Sequence, residues 1–128
     1  MNSTGAFSNC SDFKLIHINI RGVQSNKQNL EHYLAENSYP VIVTLNETML
    51  NKDKNIKING YYCASRKEPI GLSGKHGSMI LVRETIKDVV ELDSLRVQFQ
   101  EEVIGIEILG KDGRPRLTVV TTTHQETG

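Results

Sequence analysis

Two residues in the first half of the chain have side chains and positions that suit chemistry on a phosphate. Asn19 stands near the end of the apolar stretch "FKLIHINI", residues 13–20, and Glu47 comes shortly after the stretch "VIVTL", residues 41–45. A carboxylate oxygen binds Mg²⁺ directly, and an amide orients a phosphate or a water without adding charge. If both stretches are neighbouring parallel strands, the two side chains converge at one edge of a sheet, where sites in open α/β sheets are built. The alternative is that Glu47 only faces water and Asn19 only satisfies a turn.

The segment between the two stretches predicts a helix. Ser25 and Gln28 stand in the relation of a capping box, in which each side chain satisfies a backbone donor at a helix start. An apolar stripe at helical spacing follows: Leu30, Tyr33 and Leu34. A helix of about ten residues is expected, ending before Pro40, because the residue before a proline is pushed out of the helical region. Strand, helix and strand then form a right-handed crossover, with the first strand expected in the middle of a sheet.

The rest of the chain is strand-like and has few helix signals. The strand-like segments are "INGYYCAS", "SMILVRE", "EEVIGIEILG" and "RPRLTVVTTT", and residues 110–113 are predicted to form a hairpin turn that accounts for Asp112. The expected architecture is α/β, a mixed sheet with a helix on one face. Residues 1–12 are small and polar, which predicts a disordered lead-in before one domain over residues 13–128. That domain is expected to be truncated at its C-terminal end, because the last strand lacks a closing element.

Composition excludes a globally charged surface. Lys and Arg number 15, and Asp and Glu also number 15 in the 128 residues, so attraction to nucleic acid must be local. The one basic cluster runs from Lys52 to Lys67, although a solvated loop would look the same. No secretory signal or membrane-length apolar run is present, which favours an intracellular protein, nuclear or cytoplasmic, without a membrane partner. The histidines at positions 17, 32 and 124 have no partner at ligand spacing and are predicted to be ordinary surface or core residues.

Residues 14–50, "KLIHINIRGVQSNKQNLEHYLAENSYPVIVTLNETML", resemble the opening of the endonuclease/exonuclease/phosphatase superfamily. The closest likeness is to the endonuclease domain of LINE-type (non-LTR) retrotransposons, with its H-x-N-x-R motif at residues 17–21 and its L-x-E-T-x-L motif at residues 45–50. Three later segments are similar to that family in the same order: "INGYYCASRKE", "GKHGSMILVRETI" and "EEVIGIEILGKDGRPRLTVVTTT". The likeness covers about residues 13–124.

The resemblance implies the N-terminal half of a four-layer, DNase I-like α/β sandwich. It also implies a DNA endonuclease that uses Mg²⁺, or Mn²⁺, to hydrolyse a phosphodiester and nick a target duplex for retrotransposition, with a reverse transcriptase domain expected downstream. By that likeness Glu47 binds the metal, and Asn19 completes the metal site and positions the scissile phosphate. Basic residues at positions 21, 27, 52, 54 and 57 are expected near the DNA backbone: Arg21, Lys27, Lys52, Lys54 and Lys57.

Two departures from the family limit what this chain is expected to do alone. The family has a Tyr and a proline pair where this chain has Thr123, His124 and Gln125, and its D-x-N and S-D-H motifs belong to a second half that this chain does not contain. The chain alone is therefore expected to be an inactive fragment. Two alternatives stay open. One is another superfamily phosphodiesterase, acting on apurinic sites, RNA tails or phospholipids, and the other is a non-catalytic, degenerate α/β binding module.

Overall fold

A computed structural model describes residues 14–51, 53–67, 77–92 and 102–123. These residues form one helix, α1 (Lys27–Glu36), and seven strands. The strands are β1 (Leu15–Asn19), β2 (Ile42–Asn46), β3 (Tyr61–Lys67), β4 (Ser78–Arg83), β5 (Val89–Glu91), β6 (Glu102–Leu109) and β7 (Pro115–Thr123). The predicted mixed α/β class is confirmed, but the strands form two sheets where one was expected. The predicted lead-in, residues 1–12, lies outside the described residues.

Sheet A contains four strands in the order β1-β2-β4-β3, and sheet B contains β5-β6-β7. In sheet A, β1 and β2 are parallel, whereas β4 is antiparallel to both of its neighbours. Among the described strands β1 therefore lies at an edge, and the expectation that it occupies the middle of a sheet is wrong. The burial of the strands explains the difference, since residues 42–45 of β2 are all buried while β1 alternates between exposed and half-buried.

Helix α1 has the ten residues that the sequence predicts, but its start is built differently. The capping box is not formed: Asn26 occupies the N-cap and makes no side-chain cap bond. Its amide nitrogen donates instead to the carbonyls of Ile20 at 3.0 Å and Gly22 at 2.9 Å. Ser25 also turns to the Gly22 carbonyl, at 3.4 Å. These side chains satisfy the carbonyls of the loop after β1, and so tie the helix start to that loop.

Two apolar clusters hold the layers together. The first joins α1 to one face of sheet A, and includes Leu30, Leu34, Val43, Leu45 and Leu81. The second joins the other face of sheet A to sheet B, and includes Ile42, Ile80, Val82, Ile104 and Ile106. Tyr33, the second residue of the predicted helix stripe, is 46% exposed and does not belong to either cluster. Sheet A is therefore the central layer, with the helix on one face and sheet B on the other.

The predicted hairpin joins β6 to β7. Gly113 has a φ of +79°, a left-handed conformation that glycine adopts without a Cβ penalty. The Asp112 carboxylate accepts a hydrogen bond from the backbone nitrogen of Arg114 at 3.0 Å. Asp112 thus serves its turn, as the sequence indicates.

Tyr61 is the largest fully buried side chain of the described core. Its hydroxyl donates to the carbonyl of Pro40 at 2.5 Å, and so links the start of β3 to the segment that precedes β2. Burial raises the pKa of Tyr61 to about 12, a rise that the charge of Arg83 opposes and Tyr39 reinforces. The folded protein therefore holds the phenolic proton at a pH where the unfolded chain has lost it.

We expect the Tyr61→Phe variant to be about 1 kcal/mol less stable at neutral pH, because the Pro40 carbonyl loses its partner. In the parent protein the raised pKa contributes stability that is present below pH 10 and is lost as the pH rises towards 12. The loss should reach at most about 2 to 3 kcal/mol. Urea unfolding at several alkaline pH values should show a smaller loss in Tyr61→Phe. The exposed Tyr33→Phe should behave as the parent does. An equal alkaline loss in both variants would contradict the assignment to Tyr61.

Candidate metal and phosphate site

The C-terminal ends of β1 and β2 are fixed side by side by backbone pairing. The parallel register places Asn19 opposite Asn46. Beyond the strands the pairing continues, because Ile20 donates to the Asn46 carbonyl at 3.0 Å and Gly22 donates to the Glu47 carbonyl at 2.8 Å. The next bond along, from Val23 to the Thr48 carbonyl, is 2.9 Å. The two loops that follow the strands are therefore also held to each other by backbone hydrogen bonds.

The structure brings together the two residues that the sequence singles out. The amide nitrogen of Asn19 donates to Oε2 of Glu47 at 2.6 Å. Asn19 is exposed and Glu47 is half-buried, so the pair is open to solvent on the side of the edge strand. An amide nitrogen carries two hydrogens, and Glu47 takes one of them. Asn19 therefore has a second N–H that can donate to a phosphate oxygen, while its carbonyl oxygen can face a cation.

The backbone at Glu47 is in a conformation that a side chain with a Cβ rarely adopts. Glu47 has a φ of +54° and Met49 a φ of +52°, whereas Thr48 and Leu50 are buried. A left-handed residue with a Cβ costs about 1 to 2 kcal/mol. The alternation keeps the side chains of Thr48 and Leu50 inside, and it sets the Glu47 carboxylate beside Asn19. Strain of this kind is concentrated at functional sites.

The donor atoms at this edge are oxygens, the ligands that Mg²⁺ and Mn²⁺ take. Glu47 supplies one carboxylate, and Asn19 and Asn46 supply amide oxygens. Within the described ranges no group of three or more His, Cys, Asp or Glu residues is placed to hold a metal ion. A single carboxylate still suits Mg²⁺, which keeps several waters and is commonly bound by one or two carboxylates together with substrate phosphates. The residues present therefore fit half of a magnesium site that a phosphate would complete.

His17 was predicted to be an ordinary surface or core histidine, and the structure places both of its ring nitrogens against side chains of β2. Its Nδ1 lies 2.6 Å from the Thr44 hydroxyl, and its Nε2 lies 3.4 Å from the amide nitrogen of Asn46. Both ring nitrogens of His17 are therefore engaged with β2. Sequence spacing could not reveal this contact, since the partners lie 27 and 29 residues away on the neighbouring strand.

The basic residues expected near DNA do not lie together. Arg21 and Lys27 belong to the loop after β1 and to the start of α1, at the same edge as Glu47. Lys54 is exposed, and its carbonyl accepts from Arg66 of β3 at 2.9 Å. Lys52 lies outside the described residues, as do the side chain of Thr123 and the residues that follow it.

Lys57 is placed at the other end of sheet A. It forms an ion pair with Glu84, which directly follows β4, and the hydrogen bond and charge of Lys57 hold the pKa of Glu84 below its ordinary value. Glu84 is six residues beyond Ser78, which pairs with Asn46. At about 3.4 Å per residue, Lys57 is about 20 Å along the sheet from the Asn19–Glu47 pair. In addition, the positive charge of Lys57 is already paired with the carboxylate of Glu84.

A groove of about 550 Å³ opens beside Asn19, between β1 and α1. Its lining includes the apolar or aromatic residues Ile18, Leu30 and Tyr33 and the polar residues His17, Asn26 and Asn29. The groove follows the outer edge of β1, which has no strand partner among the described residues.

No protein-family model matches the chain, and no curated protein matches it either. The one described helix, α1, is too short and too polar to cross a membrane.

The left-handed backbone at Glu47 predicts an unusual order of stability among substitutions. Glu47→Gly should be about 1 kcal/mol more stable than Glu47→Ala, because glycine removes the Cβ that the conformation disfavours. At His32, in the middle of α1, the order should reverse, since glycine in a helix is about 1 kcal/mol worse than alanine. Urea midpoints of the four variants test this. An alanine variant at position 47 as stable as the glycine variant would mean that the loop relaxes and holds no strain.

Proposed function

We propose that this chain forms the metal- and phosphate-binding half of a Mg²⁺-dependent phosphodiesterase that acts on DNA. The observation that carries the proposal is the hydrogen bond of 2.6 Å between Asn19 and Glu47 at the ends of two paired parallel strands. The resemblance to retrotransposon endonucleases supports the choice of DNA, because both residues occupy the matching motif positions. Glu47 holds the cation, and Asn19 orients the Glu47 carboxylate.

A bound Mg²⁺ would offset the negative charge of a non-bridging phosphate oxygen and so favour attack on phosphorus. The chain's own part is to hold the substrate. One N–H of Asn19 donates to Glu47, and the second can donate to the phosphate, so the two groups are oriented together. Electrostatic stabilisation of this kind needs donors that are fixed before the reaction.

Hydrolysis also needs a group that takes a proton from the attacking water. His17 is not suited to that role, because its Nδ1 already contacts Thr44 and its Nε2 already contacts Asn46. His32 lies on the exposed surface of α1, 3.0 Å from Glu36. Within the described residues the proposed site therefore has its metal and phosphate ligands without a histidine base.

Titration calorimetry with MgCl₂ and MnCl₂ tests the metal half of the proposal. We expect the chain to bind the cation, Glu47→Gln to abolish binding, and Asn19→Ala to weaken it about tenfold or more, as loss of a residue that orients a ligand does. Glu36→Gln, which removes an exposed carboxylate of α1, is the matched control and should bind as the parent does. A cooperative urea transition must first show that each variant is folded. A folded parent that binds neither cation would favour the non-catalytic binding module.

Nicking of supercoiled plasmid tests the catalytic half. In Mg²⁺ we expect no nicking by the purified, folded chain, because the described residues of the site include no base. Nicking that disappears with EDTA and in Glu47→Gln would show that this expectation is wrong and that a residue of this chain supplies the base. The Glu36→Gln variant separates a specific loss from a general effect of removing a carboxylate.

A further inference from the structure

A row of four polar side chains crosses sheet A at the edge where Glu47 lies. The strand registers pair Asn19 with Asn46, Asn46 with Ser78, and Ser78 with Lys67. Residues paired across neighbouring strands point to the same face, so these side chains stand side by side over the full width of the sheet. We call these four residues the polar row.

The contacts of the next row inward show which face this is. Ile80, two residues after Ser78, belongs to the apolar cluster between the sheets. Ser65, two residues before Lys67, donates to a carboxylate oxygen of Glu91 in sheet B at 2.6 Å. Because side chains alternate along a strand, the polar row lies on the face that turns towards sheet B.

Arg66 lies on the opposite face of β3. Its guanidinium nitrogens donate to the carbonyls of Asn51 and Lys54, both at 2.9 Å, and to that of Leu50 at 3.3 Å. Those bonds hold the loop that follows Glu47. Lys67 is therefore the cation of the polar row, although Arg66 and Lys67 are adjacent in the basic cluster of the sequence.

The hydroxyl of Ser78, in the middle of the polar row, is buried without a hydrogen-bond partner among the described residues. The residue itself is fully buried. The four residues that follow it in β4 are apolar and buried, Met79 to Val82. A buried hydroxyl without a partner costs free energy that an apolar side chain would avoid, so packing does not account for a serine here. Its neighbours in the row are the two donor side chains Asn46 and Lys67.

We propose that Lys67 binds a second phosphate of the same DNA strand whose first phosphate lies at Asn19 and Glu47. The proposal rests on the proposed function, since it takes that pair as the first phosphate position. Asn19 and Lys67 are three strand spacings apart, about 14 Å. One strand of a duplex carries a phosphate every 3.4 Å or so of helix axis, so this distance corresponds to about four phosphates along the axis. Ser78 is a positioning residue: its hydroxyl, without a partner among the described residues, is to accept a hydrogen bond from the Lys67 ammonium when the phosphate is bound.

The salt dependence of binding to a short DNA duplex tests this inference, because each phosphate contact contributes to the slope of log K against log salt. Lys67→Met should lower the slope by about 0.9 while keeping the apolar stem, and Lys67→Arg should restore it. Lys87→Met, an exposed change in the segment after β4 at the far end of sheet A, should leave the slope unchanged. Ser78→Ala should weaken binding at every salt concentration without changing the slope, since no charge is lost.

A mononucleotide separates the second phosphate from the first, because it offers a phosphate to Asn19 and Glu47 and none to Lys67. Its affinity should be unchanged in Lys67→Met. An equal loss for mononucleotide and duplex, or an unchanged duplex slope in folded Lys67→Met, would overturn the inference. Binding of anionic phosphatidylserine vesicles that depends on Lys67, without duplex binding, would also overturn it.

Glu47→Gln distinguishes failure of the inference from failure of the proposed function. If Mg²⁺-dependent binding is lost in Glu47→Gln while Lys67→Met changes nothing, only the second phosphate position is wrong. If Lys67→Met lowers the slope while Glu47→Gln leaves Mg²⁺ dependence intact, the metal site is wrong and the anion contact at Lys67 stands.

Discussion

The parallel pairing of β1 with β2 is the constraint on which the rest of the site depends. Its register sets Asn19 opposite Asn46, and three further backbone bonds extend it through the two loops that follow. A shift of one residue would turn the Asn19 side chain to the other face of the sheet and separate it from Glu47. Crossover geometry supplies the pairing, because α1 returns the chain to the same sheet with β2 running in the same direction as β1.

The core secures this register from both sides. Sheet A is packed on α1 through one apolar cluster and on sheet B through the other, so β2 contributes to both. A strand buried on both faces cannot slip without exposing apolar side chains on one of them. The positive φ angles of Glu47 and Met49 are tolerated on this basis, since buried Thr48 and Leu50 fix the loop that contains them.

Much of the fold near the site could be predicted from the sequence, because its signals are local. The apolar run before Glu47 predicts β2, helical spacing and Pro40 bound α1, and Gly110 to Gly113 predict the hairpin turn. The predicted capping box is not formed, because the side chains of Ser25 and Asn26 donate to backbone carbonyls of the preceding loop. β5 was not predicted, because a strand of three residues is too short to show an alternating pattern. Without β5, the division of the strands into two sheets was not predicted either.

The residues of the candidate site also fall into two groups, those that the sequence could predict and those that it could not. Asn19 and Glu47 could be proposed because each ends or follows a strong strand signal. His17, Asn46, Ser78 and Lys67 could not, because their relation depends on strand order and register, which the sequence does not state. A basic cluster in the sequence likewise does not show on which face of the sheet each side chain lies. Arg66 and Lys67 are adjacent in the sequence, yet their side chains lie on opposite faces of β3. Lys57 belongs to the same cluster but lies at the far end of the sheet.

The strand order β1-β2-β4-β3 has a consequence for how the chain assembles as it is synthesised. β3 leaves the ribosome before β4, yet β4 is its partner in sheet A and separates it from β2. β1, α1 and β2 are consecutive in the chain, so the pairing that sets Asn19 beside Glu47 does not require β4. Lys67 joins them only after Ser78 to Arg83 have been inserted between the strands already made. The pairing of Asn19 with Asn46 can thus form earlier in synthesis than the pairing of Ser78 with Lys67.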